Sequence, residues 1–467
     1  MTMEIKKTDL DDVYLIVPQV IGDSRGWFME TYREDKLEEL GLIYDWKQEN
    51  HSYSAKAGTL RGIHFQNFPM AMAKLVRCTK GKILDIAVDL RPNSKNYKKW
   101  VAVELSDENK KQLLIPRGFG HGFVTLTDDC EIQYKVDEFF SQKHDRSIKH
   151  NDPIFGIDWK VDNPILSAKD LNAPKLSDSD VNFDVRVLVT GAHGQLGSDV
   201  IKLLKEKGID CKGVGRSDFD ITDEKAVNAF VKKYKPTIII HCAAYIAVDR
   251  AEDEREKCYA TNVTGTRNIA MAAKSVGAKI VYVSTEGVYG VGGNKLITEN
   301  DQIKPVNYYA ETKLLGEKAV QETTNEHFII RVGLLFGKHG SNFVTTMLRL
   351  GKEKPEINVV TDLVGSPCYT VDLAKFVIEL IFTNKFGIYN TANNGFCSRA
   401  EYAKEIFNQA HISTNINPIK STDLNEKAKR QTNGRLNCDK LVENGFTPFP
   451  TWQDALRRFL LEIEEIK

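Results

Sequence analysis

The chain has 467 residues, 42% of them apolar and 27% charged, a length that predicts two or more separate hydrophobic cores. Lys plus Arg and Asp plus Glu number 64 each, so no net basic field exists to recruit nucleic acid or an anionic membrane. No apolar run approaches the roughly 18–20 residues of a membrane-spanning helix, and the eight cysteines, none in a CxxC pair, argue against a disulfide framework or a structural zinc site.

The opening stretch MTMEIKKTDLDDVYL has no apolar h-region of a secretory signal, which predicts a cytoplasmic protein with reduced thiols. From there to about residue 183 the pattern is that of short strands. KILDIAVDL (82–90) and WVAVEL (100–105) alternate polar with apolar residues between Gly, Pro and Asn breakers. EDKLEELG (34–41) is the one helical segment expected here. Many short strands with turns predict a sandwich or barrel.

Within this half LRGIHFQ (60–66) carries His64. Three readings are open: a metal ligand, a catalytic base, or a histidine satisfied in a β-rich core. Two ligands on one strand face need a spacing of two, and the residue two on from His64 is Gln66; His121 is a second imidazole without a third. No metal is expected. A base would need a carboxylate to orient it, a cation for developing negative charge and an acid on the other face. Asp170, Lys74 and Tyr134 are candidates, although spacing alone does not bring them together.

The pattern changes at residue 184, which sets the expected domains at 1–183 and 184–467. VRVLVTG (185–191) is an apolar strand, followed by the helical SDVIKLLKEKG (198–208), then KPTIIIHCAAY (235–245), the helical ATNVTGTRNIAMAAKSVG (260–277) and AKIVYVST (278–285). Apolar strands alternating with helices predict βαβ units and a parallel sheet. GAHGQLG (191–197) places Gly191, Gly194 and Gly197 between the first strand and its helix, the setting of a dinucleotide-binding turn. Where a carboxylate would hold the ribose of NAD, GVGRSDFDITD (213–223) has Arg216. A guanidinium suits a 2′-phosphate, so NADPH is expected, with NADH as the alternative. YYAETK (308–313) sets Tyr309 and Lys313 four apart on one helix face. Ahead of it, IVYVSTEGVYG (280–290) ends a strand at Thr285. Glycine loop, strand-end threonine and Tyr/Lys pair point to carbonyl reduction, with Lys313 expected to lower the pKa of Tyr309.

These motifs, together with GQLG (194–197), DITD (220–223), CAAYIAVDRAE (242–252) and WQDAL (452–456), resemble those of the extended short-chain dehydrogenase/reductases and, within them, the dTDP-4-dehydrorhamnose reductases. The resemblance spans about 185–465 and implies an α/β Rossmann domain with a small substrate-binding lobe. It implies that Thr285 positions a carbonyl, Tyr309 donates a proton and Lys313 holds the nicotinamide ribose. Gly191, Gly194, Gln195, Leu196, Gly197, Arg216, Asp220, Ala243, Ala244 and Tyr245 would hold the cofactor. Two stretches depart from the family: STEGVYGVG stands for STDYVFDG, and Leu334 in RVGLLFG (331–337) replaces a tryptophan. The product therefore stays open between rhamnose and its C4 epimer.

The first half is similar to the dTDP-4-dehydrorhamnose 3,5-epimerases in DSRGWFMETY (23–32), QENHSYSAKAGTLRGIHFQ (48–66), VDLRPNS (88–94), IPRGFGHGFVTL (115–126), YKVDEFFS (134–141) and LSAKDLNAP (166–174). That resemblance implies a cupin-like jelly-roll barrel working without metal, with His64 as base, Asp170 orienting it, Tyr134 as acid and Lys74 steadying an enolate. Arg25, Glu30, Gln48, Asn50, Arg61, His121 and Lys169 would bind a nucleotide-sugar substrate. Phe140 stands where the family commonly has tyrosine. The resemblance also implies a homodimer through this half. The combined expectation is an enzyme that epimerises dTDP-4-keto-6-deoxy-D-glucose and then reduces C4 to give dTDP-L-rhamnose. The rival reading is a non-catalytic binder of sugar nucleotides.

Overall fold

The computed structural model describes residues 3–290, 292–424 and 426–466, so Val291 of the STEGVYGVG stretch lies outside the described residues. The chain divides into two compact units, Met1–Asp184 and Val185–Lys467. Among the described residues no helix is long and apolar enough to cross a membrane.

The first unit is built from two antiparallel sheets. One has six strands in the order Met3–Lys7, Tyr14–Pro18, Gln112–Ile115, Lys74–Lys80, Cys130–Val136 and Gln48–Ser54. The other has five, in the order Asp145–Ser147, Leu60–Gln66, Phe119–Thr125, Lys82–Asp89 and Trp100–Ser106. Val76, Ile83, Leu105, Leu113, Phe119 and Ile132, drawn from both sheets, form one core, as the alternating pattern requires. The helix expected over 34–41 is the single turn Glu34–Glu38, burying Leu37. A separate hairpin, Val20–Asp23 with Gly26–Met29, leaves Trp27 and Phe28 56% and 60% exposed.

Register places the chemistry-bearing residues. Tyr134 pairs with Asn50 on one side and Val76 on the other, while Val136 pairs with Gln48 and Lys74. Because side chains alternate faces, Gln48, Asn50, Lys74 and Tyr134 share one face of the six-stranded sheet. In the other sheet His64 pairs with His121 and with Ser147. The strands of His64 and His121 approach closely at Gly62, where φ is +137° and a Cβ would lie 2.5 Å from the Cα of Gly122. Only glycine fits there.

The second unit is organised around a six-stranded parallel sheet in the order Asp210–Val214, Arg186–Thr190, Ile238–His241, Lys279–Thr285, His327–Val332 and Gly387–Thr391. The strand order reverses beside the first strand, the place where such sheets open a crevice. The first helix is Gln195–Glu206, starting three residues before the expected 198 because the glycine loop itself carries the first turn. The helix expected from 260 is instead the end of a longer run. Arg255–Tyr259 and Thr266–Ser275 are α-helical, and Ala260–Gly265 between them is a π-helical stretch. Asn262 in that stretch bonds both the N–H and the C=O of Tyr245 and the hydroxyl of Thr312; such a widened turn lets one side chain leave the helical ladder. A lobe with short two- and three-stranded sheets has its own aromatic core of Phe336, Tyr369, Tyr402, Trp452 and Phe459.

Candidate active sites

In the first unit a cavity of about 480 Å³ is lined by Gln48, Asn50, His64, Lys74, Tyr134, Phe140, Asp145 and Lys169, among others. One sheet supplies Tyr134 and Lys74, the other His64. His64 Nε2 lies 2.5 Å from Asp170 Oδ1, and Asp170 is itself buried beneath the wall. Ser167 caps the short helix Ala168–Leu171 and donates to Asp170 Oδ2 at 2.8 Å. Burial pushes the Asp170 carboxyl up, but the bonds and charge of His64 and the bond from Ser167 outweigh it and hold the group below its ordinary range.

Lys74 is buried, which lowers its pKa to about 8 against the opposing pull of Asp85 and Asp145. Its Nζ is 3.4 Å from His121 Nδ1, and His121 Nε2 is 2.8 Å from Asp85 Oδ1. Burial lowers the pKa of His121 too, Asp85 pulling it up and Lys74 down. Tyr134 is raised by burial, so its phenol keeps its proton at neutral pH. Gln66 does not behave as a ligand: its amide donates to the carbonyls of Met70 and Phe139 and accepts from the N–H of Ser141. It anchors the loop carrying Phe140.

His121 and Asp170 act on this cavity from behind its wall. Arg61 donates to the Tyr53 carbonyl and is not in the lining, although its charge reaches Tyr134. Arg25 and Glu30 are also outside the lining. Arg25 sits at the tip of the exposed hairpin, paired with Asp23 at 2.6 Å, and Glu30 lies 3.9 Å from Arg33. Asp145, Asp85 and Ser167 are further members of the site. Only Ser167 left a legible signal, three residues before Asp170 at a helix start.

In the second unit a cavity of about 800 Å³ opens beside the glycine loop and is lined by Gly191, Gly194, Gln195, Leu196 and Gly197. Arg216, Asp220, Ala243 and Ala244 also line it, as do Thr285, Tyr309 and Lys313. Gly191 has φ +67°, and a Cβ there would lie 2.7 Å from the N of Ala243. The helix Gln195–Glu206 starts at Gly194 with no side-chain cap, so its first-turn N–H groups are left for an anion. The lining fits an anionic dinucleotide: it offers the uncapped helix start behind the glycine loop and the guanidinium of Arg216. Asp220 is less available, since its Oδ1 accepts two bonds from Thr222. Tyr245 is not in the lining: it is buried with Ala251 and Cys258, clamped there by Asn262.

A second cavity of about 630 Å³ shares Ile246, Thr285, Tyr309, Gly333 and Leu335 with the first and adds Glu286, Gly287, Leu334, Phe343 and Arg399. Thr285 and Tyr309 therefore stand where the two spaces meet. Burial pushes the Tyr309 phenol up to about 12, with hydrogen bonding to Thr285 pulling the other way. This corrects the expectation that Lys313 lowers it. Lys313 Nζ donates instead to the Val283 carbonyl at 2.7 Å and lies 4.2 Å from the centre of the Tyr282 ring. Burial lowers its own pKa to about 7, Glu317 opposing. Glu317, one helical turn beyond Lys313, is bound by both Arg331 and Ser284.

Residues 7–178 match the family model described as dTDP-4-dehydrorhamnose 3,5-epimerase, and residues 185–465 that described as RmlD substrate binding domain. The dTDP-4-dehydrorhamnose 3,5-epimerase of Shigella flexneri is 47% identical over 38% of this chain and 98% of its own. The spore coat polysaccharide biosynthesis protein SpsK of Bacillus subtilis is 36% identical over 59% of this chain and 97% of its own. A crystal structure of dTDP-4-dehydrorhamnose reductase from Bacillus anthracis in complex with NADP aligns with TM-score 0.58 and 41% identity, over 60% of this chain and 99% of that one.

Proposed function

The chain belongs to the dTDP-4-dehydrorhamnose 3,5-epimerase family over residues 7–178 and to the RmlD substrate binding domain family over residues 185–465, and from that premise we propose how one polypeptide carries out two successive steps. It is a bifunctional enzyme: it epimerises dTDP-4-keto-6-deoxy-D-glucose at C3 and C5 and reduces the C4 ketone of the product to give dTDP-L-rhamnose. In this reading the first unit is a cupin-like barrel and the second a Rossmann domain with a substrate lobe.

Epimerisation needs no electron transfer. The protons at C3 and C5 are α to the C4 ketone, so removing one leaves an enolate. With Nε2 held by Asp170, the other ring nitrogen of His64 takes the proton, and Asp170 balances the imidazolium. The Lys74 ammonium steadies the enolate oxygen. Tyr134, from the other sheet, returns a proton to the opposite face of the carbon. Gln48, Asn50 and Lys169 hold the substrate, and Phe140 stacks against it. The observation that carries this reading is that base and acid reach one cavity from two different sheets.

NADP(H), when bound, supplies a hydride to C4. The glycine loop and Arg216 hold the dinucleotide; Thr285 orients the ketone. Tyr309 gives its proton to the oxygen as the hydride arrives, a role that a phenol protonated at neutral pH fulfils directly. The test is incubation of the full chain with dTDP-4-keto-6-deoxy-D-glucose and NADPH, with the product resolved by NMR. dTDP-L-rhamnose is expected; its C4 epimer, or no NADPH oxidation, would overturn the assignment.

The exposed hairpin supports a homodimer through the first unit. It presents Trp27 and Phe28 to solvent and carries Arg25, with Glu30 just past its end, away from the cavity of its own chain. In the dimer these residues complete the partner's site.

A further inference from the structure

Tyr309, Lys313 and Glu317 stand four residues apart on the helix Tyr308–Thr323, so they share one face. Gly316 lets that helix lie against the strand Lys279–Thr285, since a Cβ there would come within 2.2 Å of the Tyr282 hydroxyl. At this contact the buried Glu317 ties three elements together. Its Oε1 accepts from the Ser284 hydroxyl at 2.5 Å and from Arg331 Nε at 3.0 Å, and its Oε2 accepts from a second guanidinium N–H at 2.7 Å. Ser284 and Arg331 are register partners on adjacent strands, and Ser284 immediately precedes Thr285. Glu317 itself lines neither cavity of this unit.

Lys313, one turn earlier, lines the dinucleotide cavity and donates to the Val283 carbonyl. As an ammonium it keeps further N–H groups for a ligand. The groups around it are Tyr282 and His241 from the sheet, Cys242 beyond the end of the His241 strand, and Cys258 from the helix Arg255–Tyr259; Tyr309 and Glu317 come from its own helix. Burial keeps the imidazole, both thiols and both phenols uncharged at neutral pH. The charge that opposes the desolvation of Lys313 is therefore that of Glu317, a carboxylate paired on its other bonds with Arg331. We propose that Glu317 is a positioning residue of the reductase site: through Ser284 it fixes the strand end that presents Thr285, and as the charge facing Lys313 it keeps that side chain an ammonium able to hold the dinucleotide. The inference rests on the reading of this unit as an NADP(H)-dependent reductase. It adds that the protonation of Lys313 is set by a group that touches neither cofactor nor sugar.

An ammonium is present below its pKa and lost above it. Burial lowers that of Lys313 to about 7, so dinucleotide affinity should fall on the alkaline side, and removing the Glu317 charge should move this fall to lower pH. NADPH affinity of the full chain is measured by fluorescence titration between about pH 6 and 9, with NADPH oxidation on dTDP-4-keto-L-rhamnose alongside. Glu317→Gln, which keeps the shape without the charge, should shift the fall in affinity down by about one pH unit or more. Glu317→Asp, which restores the charge, should bring it back towards wild type. Ser284→Ala removes one tether and no charge. Its affinity profile should stay in place while kcat drops about tenfold, and it covers the case in which the glutamine variant fails to fold. A glutamine variant whose affinity follows the wild-type pH profile overturns the inference, as does a Ser284→Ala enzyme with wild-type kcat. A wild type that binds no NADPH overturns the reductase reading, and this inference with it.

Discussion

His64 Nε2 sits 2.5 Å from Asp170 Oδ1 across 106 residues of sequence, and Asp170 is held in turn by Ser167. A buried carboxylate so placed fixes which ring nitrogen is left to take a proton. His64→Ala should abolish solvent deuterium incorporation at C3 and C5, and Asp170→Asn should lower it by about 10²–10⁴-fold. NADPH affinity should be unchanged in both. Exchange persisting in the alanine variant would remove His64 from the role of base.

Tyr309 belongs to the other unit, so its loss should separate the two activities. Tyr309→Phe should cut NADPH oxidation by about 10²–10⁴-fold while deuterium exchange continues at the wild-type rate. A parallel fall in both would contradict two independent sites.

Lys74 carries the pH dependence of the first step. Its pKa is lowered to about 8 by burial, so the ammonium is present below that value and lost as pH rises through it. The exchange rate should accordingly fall on the alkaline side of pH 8. Lys74→Met should be slower by about tenfold or more at neutral pH, and this alkaline limb should vanish from its profile.

Glu317 and Arg331 are both 1% exposed and paired at 2.7 Å. Removing one partner strands a buried charge, at a cost of about 3–5 kcal/mol. Arg331→Met should therefore melt well below wild type in a thermal scan of the full chain, while Lys257→Met, on an exposed pair with Glu254, should shift the melt little.

The hairpin gives a test of assembly. Phe28→Glu should shift the protein towards monomer in sedimentation or light scattering and depress deuterium exchange. NADPH oxidation with dTDP-4-keto-L-rhamnose, already epimerised, should remain. A dimer undisturbed by this change would place the interface elsewhere.

The sequence by itself determined what lies within single elements. The glycine loop between strand and helix, the four-residue spacing of Tyr309 and Lys313, and the alternation of the first unit's strands are local, and local periodicity reads directly into local structure. Only the tertiary structure decided what depends on register and burial. Tyr134 and Lys74 meet His64 because two sheets stack in one alignment, which no spacing along the chain encodes. Gln66 spends its amide on backbone groups, and Tyr245 is clamped away from the cofactor cavity by Asn262. The phenol of Tyr309 is raised, not lowered, because desolvation outweighs its hydrogen bond with Thr285, while Lys313 Nζ bonds the Val283 carbonyl instead.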